Sequence, residues 1–426
     1  MGWIRTLLRE EPQAPRFFGA YAQSSLGTGA GYVAVVLVGY QRFHSPLAIS
    51  LILLADIAPP MVFGPLFGAL VDRWSRRLAA VTADCARALA FGGMVLTHSF
   101  ALTFIFALVA GVGTSLWKPA AMASLPSVVS RERLPAATAL YGALTEIGYT
   151  VGPGIAGLVL LFTGSNVLLA ANAGSFALSA LLLSTLSFGS RPARADRATR
   201  GRILAEARAG IRVAAQTPAV KMVIVSASSI LFFAGLVNVA ELLIARQLGA
   251  GSTGYALLVT LSGVAITAGS VMGKSGGDAA TLRRRFITGL GLFGVGLAGA
   301  SASPAFAGVA IGISLGGVGN GMVIVFQRLI IQSTVSDELL GRVFGAQVAL
   351  DGFAFTSSYL VAAALLTAVG PRVLFVIAGA GACAVALATL WALRTASVGG
   401  AAARPLAATV AEAESPLAGL GSPEAR

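Results

Sequence analysis

Residues 47–77 read LAISLILLADIAPPMVFGPLFGALVDRWSRR. An almost wholly apolar run, 47–71, is followed at once by an aspartate and three arginines. A helix needs about 20 apolar residues to cross a bilayer. A basic cluster directly beyond such a run marks the side on which it stops. Two acids do not fit that simple picture. Asp56 lies inside the apolar run, where an ionisable group is costly. Asp72 lies at its C-terminal end, where the helix dipole disfavours negative charge.

Runs of the same kind recur along the whole chain. Of its 426 residues 56% are hydrophobic and only 11% charged, and the mean hydropathy is +0.83. A soluble core cannot hide that much apolar surface, and the runs are continuous rather than alternating, which excludes a β-barrel. The spacing predicts an all-α membrane protein with twelve spans: 17–40, 47–71, 78–97, 100–123, 138–161 and 166–188, then 218–245, 250–273, 284–303, 305–328, 340–368 and 370–394. They divide six and six about a charged segment. The expected organisation is an N-terminal stretch (1–16), a first bundle (17–188), a linker with an amphipathic second half (189–217), a second bundle (218–395) and a disordered tail (396–426).

The net charge of +13 would suit a nucleic-acid partner if it were concentrated in a soluble domain. Instead the basic residues alternate in space. Arg5, Arg9, Arg16, Arg73, Arg76, Arg77, Arg131, Arg133, the linker, Lys274, Arg283–Arg285, Arg328, Arg342 and Arg394 fall on one side, and only Arg42, Arg246 and Arg372 on the other. This asymmetry places both termini in the cytoplasm of a multi-pass cell-membrane protein, and no nucleic acid is implied. Cys85 and Cys383 lie far apart inside apolar runs and read as small buried hydrophobes. No metal site, cofactor motif or nucleophile–base constellation is visible, so an enzyme is not expected. Residues 268–275, AGSVMGKS, fit a loose phosphate-loop pattern, but a membrane span precedes them where that loop needs a strand.

The twelve-span layout and GALVDRWSRR (68–77) together resemble the major facilitator superfamily. Its loop motif maps onto Gly68, Asp72, Arg73, Arg76 and Arg77, with Ser75 where the family has a glycine. A positive-inside cluster would explain the arginines but not Asp72. The resemblance implies two pseudo-symmetric six-helix bundles, with Asp72 latching onto the start of span eleven near Gly341–Gly345 and Asp337 or Glu338 pairing with the arginines. GYTVGPGIAG (148–157) resembles the family's antiporter motif through Gly148, Gly152, Pro153 and Gly157, and accompanies exporters. Small residues four apart also serve ordinary helix packing. Residues 119–140 resemble the stretch after span four in proton-driven drug exporters that include macrolide efflux proteins and the enterobactin exporter. The arginine such exporters carry in span four is absent; Ala107 stands there, with Lys118 later in the span.

Acids within spans are functional candidates by default. Asp56, Glu146 and Asp351 are the candidates for proton coupling, each against the alternative of a structural carboxylate. Asp84 and Arg87 stand three apart in span three and are expected to pair. Glu241, close to Arg246 at the end of span seven, is expected to reach the interface. Gln23, Tyr32, Asn238 and Asn320 are the polar residues expected in the cavity, since the resemblance assigns its lining to spans one, seven and ten. The expected function is secondary export of an amphipathic drug or metabolite by a monomer exchanging it for protons. The alternatives are a nutrient importer on the same fold and a non-transporting sensor or scaffold.

Overall fold

The computed structural model of the protein describes residues 2–71, 74–187, 211–275 and 277–398. Asp72, Arg73, residue 188, residues 189–210 of the expected linker and the tail from 399 lie outside the described residues. A short helix, α1 (Gly2–Glu10), precedes twelve long ones. These are α2 (Ala14–Phe43), α3 (Pro46–Val71), α4 (Arg76–Leu96), α5 (Phe100–Val128), α6 (Leu134–Val159) and α7 (Ser165–Ser184). After the linker come α8 (Pro218–Gln247), α9 (Gly251–Val271), α10 (Ala279–Ala302), α11 (Phe306–Thr334), α12 (Asp337–Val369) and α13 (Pro371–Val398).

Local chemistry sets these ends. Proline stands in the first turn of α2, α3, α6, α8 and α13, where its missing N–H costs nothing. Ser75, the residue that departs from the loop motif, is the N-cap of α4 and accepts the Leu78 N–H at 3.4 Å. Asp278 caps α10 in the same way through Thr281 N, at 3.0 Å. Gly370, at φ 78°, allows the tight reversal between α12 and α13. Among the described residues nine helices are long and apolar enough to cross a membrane by length and composition alone. Of the other three, α2 and α6 are diluted by glycine, serine and threonine, and α3 is a 26-residue apolar helix described side chain by side chain over Pro46–Met61. The phosphate-loop-like residues run from the end of α9 into a short 3-10 turn, Met272–Ser275, with no strand before them.

Packing follows a repeated plan. In the first half α2 packs on α6 and α7, α5 on α3 and α4, and α4 on α7. In the second, α8 packs on α12 and α13, α11 on α9 and α10, and α10 on α13. Advancing each helix number by six turns the first set into the second, the sign of a duplicated six-helix unit. The halves meet along two seams, α6 on α9 and α3 on α12, which the same operation exchanges.

The seams are incomplete. On one, Gly157 faces Ala256, Gly154 faces Thr260, and Gly263 faces Thr150. Glu146, one turn before Thr150 on the same face, is exposed. On the other, Met61 packs on Gly352, and its sulfur accepts the Thr356 hydroxyl at 3.1 Å. Val348, one turn before Gly352, is 67% exposed. Thr150 and Gly352 stand at about the same height, roughly 24 and 22 Å along their helices from Leu134 and Asp337 at 1.5 Å per residue. Towards the arginine-rich end below that height, each half keeps a hydrophobic cluster of its own. Towards the far end one core runs through both halves. The halves are therefore joined at the far end and parted at the basic end, as far as the described residues run.

The far-end arginines have structural partners. Arg42 donates to the Met94 and Thr97 carbonyls, at 2.6 and 2.5 Å, and to Asn166. Arg372 donates to those of Ser301 and Ser303, at 3.3 and 2.9 Å. Both neutralise the carbonyl-rich C-terminus of a neighbouring helix. Arg246 stacks on the Tyr40 ring at 4.6 Å across the two halves. The cysteines differ from expectation. Cys85 is exposed on the outward face of α4, and Cys383 is half-buried against Gly294. An apolar run that faces lipid needs no burial in protein, which is why the sequence alone misplaces Cys85.

Candidate functional site

A cavity of about 450 Å³ lies where the seams and α2 and α8 converge. Its wall is mainly apolar and aromatic: Ile57, Phe91 and Phe176 from the first half, Ile266 and Phe355 from the second. Two acids, Asp56 and Glu241, stand on it, with Tyr32, Tyr149, Asn238 and Tyr359 as the main polar groups beside them. Two extensions lead from it. One of about 320 Å³ runs towards the basic end within the first half, past Trp117, Lys118 and Tyr141. The other, of about 230 Å³, enters the second half past Leu297 and Asn320.

The first-half wall is built on a buried network. Arg87 and Asp84 pair on α4 as their spacing predicts, both almost wholly buried. Trp117 Nε1 donates to the other Asp84 oxygen at 3.2 Å. The guanidinium also lies over the Trp117 and Phe176 rings, 5.0 and 4.2 Å from their centroids, so α4, α5 and α7 share one cation. Tyr21 stacks between Trp117 and Tyr141, with centroids 4.9 and 4.4 Å away, and its hydroxyl hydrogen-bonds Thr145 at 2.5 Å. Asp56, Lys118 and Arg87 lie within electrostatic reach of one another.

The antiporter-like motif faces three ways. Gly148 and Gly152 lie against the α2 backbone at Ser25, Leu26 and Gly29, where any side chain would collide with main chain. Pro153 lines the cavity and leaves the Tyr149 carbonyl without its helical donor. Gly157 faces the α9 seam. Of the loop motif, Gly68 lies in α3 and Asp72 and Arg73 fall outside the described residues. Arg76 reaches Ser127, and Arg77 the carbonyls of Ser184 and Leu186, so both help to hold the first half together; the side chains of Asp337 and Glu338, their expected partners, lie outside the described residues. Among the described residues nothing stands against Gly341 or Gly345.

The candidate acids separate clearly. Asp56 lines the cavity. Asp351 does not: it accepts from Ser228 at 2.6 Å and Gln347 at 3.2 Å, which makes it a structural tie between α8 and α12. Glu146 sits exposed beside the parted seam, outside the cavity lining. Tyr32, Asn238 and Asn320 line the cavity or its extension. Gln23 instead donates to the carbonyls of Ala20 and Ser175, turned towards α7. Glu241 departs furthest from expectation. It is 5% exposed and lines both the cavity and its second-half extension, while Arg246 turns away to Tyr40. The sequence held a clue: Leu231, Ala234, Asn238 and Glu241 repeat at helical spacing on one face, and Asn238 was already expected in the cavity.

No group of three or more His, Cys, Asp or Glu able to hold a metal ion occurs among the described residues. Outside the spans, Asp278 is held below the usual carboxylate range by hydrogen bonds from Thr281.

Two six-helix halves related by a duplication, closing over a central cavity, define a membrane transporter of small molecules. The sequence profile of the Major Facilitator Superfamily matches residues 17–240, and the chain belongs to that family. It is 25% identical over 362 residues to an uncharacterised transporter of the superfamily, YfiS of Bacillus subtilis, covering 80% of this chain and 84% of that one. It is 32% identical to the multidrug efflux pump Tap of Mycolicibacterium fortuitum over 171 residues, 38% of this chain and 42% of that one. Macrolide efflux protein A of Streptococcus pyogenes is 27% identical over 143 residues, 32% of this chain and 35% of that one. The fold is similar to that of the nucleoside transporter NupG, with a TM-score of 0.71 at 12% identity, covering 89% of this chain and 99% of that one.

Proposed function

We propose that the protein is a secondary exporter that moves an amphipathic small molecule out of the cell by alternating access, in exchange for protons. On this reading it works as a monomer in the cell membrane, with the bundles at 17–188 and 218–395. The termini, the linker and the basic end are then cytoplasmic. The cavity carries the proposal: its surface is largely apolar and aromatic, it holds two acids, and it lies between halves that part towards the basic end. That geometry suits loading from the cytoplasm or inner leaflet. The similarity to a multidrug pump and a macrolide exporter supports the same direction. In the proton path we place Asp56, a cavity carboxylate facing Lys118. Its protonation would free Lys118 and weaken the charge pairing within the first half. Asp72 then serves as the latch, engaging the Gly341–Gly345 face when the basic end closes.

An importer of a polar nutrient would call for a cavity richer in fixed hydrogen-bond groups. The test is transport by the purified protein in liposomes with an imposed proton gradient. A macrolide should accumulate on the side from which protons leave, and dissipating the gradient should stop it. Uptake in the opposite sense, or none for any amphipath, would remove the exporter reading.

A further inference from the structure

Charge balance around the cavity singles out one residue. In the first half Asp84 is paired with Arg87, and Asp56 stands within reach of Lys118 and Arg87. Among the described residues no cation lies near Glu241 on α8. Tyr32 of α2, Tyr255 of α9 and Tyr359 of α12 lie within electrostatic reach of its carboxylate, and Tyr32 and Tyr359 line the same cavity. Asn238 on its own helix donates to Tyr359 Oη at 3.5 Å, and Arg246 is held at the Tyr40 ring. Among the described residues, Glu241 makes no hydrogen bond or ion pair, although it is 5% exposed. A carboxylate so placed is strongly disfavoured unless a proton or a cation neutralises it.

The surroundings suit a cation with an organic body. Tyrosine ring faces attract an ammonium group, and more strongly when water is excluded. Phe355, Ile57 and Ile266 continue the same wall with apolar surface. We propose that Glu241, with Tyr32 and Tyr359 on the same cavity wall, forms the subsite for an ammonium group, so that the transported molecules are lipophilic monocations. Asp56, already faced by cations of its own half, is the poorer site for a ligand cation, and Glu241 is the residue that selects by charge. This rests on the transporter reading of the cavity.

The test uses two fluorescent probes with one dansyl–alkyl body, one ending in trimethylammonium and the other in the uncharged tert-butyl isostere. Binding is titrated on the full-length protein in lipid nanodiscs. The wild type should hold the cation at least about tenfold more tightly than the isostere, a difference of about 1.4 kcal/mol. Glu241→Gln should abolish that preference while leaving the isostere's affinity unchanged, which also shows that the variant is folded. Acidification should weaken cation binding in the wild type, because a proton competes for the carboxylate, and have no such effect in Glu241→Gln. Equal affinities in the wild type, or equal weakening of both probes in the variant, would overturn the assignment. Gradient-driven transport of both probes without charge preference would remove only the ammonium subsite. Charge-selective binding with no transport in either direction would leave the subsite and remove the exporter reading.

Discussion

Helices α4, α5 and α7 of the first half and α10, α11 and α13 of the second occupy equivalent places, yet they are joined by different forces. In the first half the junction is a buried ion pair, Asp84 with Arg87, wrapped by Trp117 and Phe176. In the second, glycines bring backbones together: Gly296 against Gly312 and Gly316, Gly289 against Gly319, and Gly294 against Gly379 and Cys383. One contact plan therefore accepts either electrostatic or steric closure. The charged solution places cations beside the cavity, and the glycine solution leaves the second-half wall without any. The asymmetry of the cavity, with Lys118 on one side and Glu241 on the other, is a consequence.

The largest effect should come from the glycine junction. Any side chain at Gly296 would meet the Gly312 carbonyl and the Gly316 main chain, neither of which can turn aside as a side chain could. We predict that Gly296→Leu yields no monodisperse protein on size exclusion in detergent. A monodisperse variant with an unchanged melting temperature would show that backbone contact does not hold this half together. Next comes the charged junction. Arg87→Ala leaves Asp84 buried without its cation, a loss of about 3–5 kcal/mol. The double variant Asp84→Asn/Arg87→Gln, with both charges gone, should recover much of it in thermal unfolding. Equal destabilisation by the single and double changes would contradict the ion-pair account.

Two further variants bear on the first half's part in the cycle. Asp56→Asn should abolish accumulation driven by a proton gradient while leaving substrate binding and facilitated exchange intact, measured in the same liposomes. Normal gradient-driven transport would take Asp56 out of the proton path. Asp72→Asn is expected to have a smaller effect, slowing turnover several-fold at unchanged affinity, since it would weaken one end state. Loss of binding in a folded Asp72→Asn protein would contradict the latch.

What could be read along the chain was whatever depends on composition and local spacing. Span ends were legible because apolar runs stop at arginines, prolines and caps, as at Ser75 and Pro218. The pair Asp84–Arg87 was legible because three residues along a helix fix a common face. Which face meets a partner was not, and the polar residues show why. Gln23 and Tyr32 share α2, yet the first turns to the Ser175 carbonyl and the second to the cavity. Arg246, near Glu241 in sequence, points to an interfacial acid, while the fold sends that arginine across to Tyr40. α1 escaped notice altogether. Its nine residues are too short for a span, but Leu7 buries itself in the first half's basic-end cluster. Glu10, its last residue, and Glu11, just beyond, reach Arg133.

Asp351 offers the smallest effect and the sharpest contrast with Asp56. Both are acids within spans that form the α3–α12 seam, and from sequence they are equivalent candidates. The structure separates them by what they touch: Asp56 opens onto the cavity, while Asp351 is bound by Ser228 Oγ and Gln347 Nε2 and takes no part in the lining. An asparagine can keep both contacts, because its carbonyl oxygen still accepts from one donor and its amide can donate to the Ser228 hydroxyl oxygen. We therefore predict that Asp351→Asn transports at close to the wild-type rate with an unchanged pH profile, and that Asp351→Ala lowers thermal stability without uncoupling transport. An altered pH profile in Asp351→Asn would mean that this carboxylate exchanges protons in another conformation of the cycle, and the division of labour between the two halves would then fail on the seam where they meet.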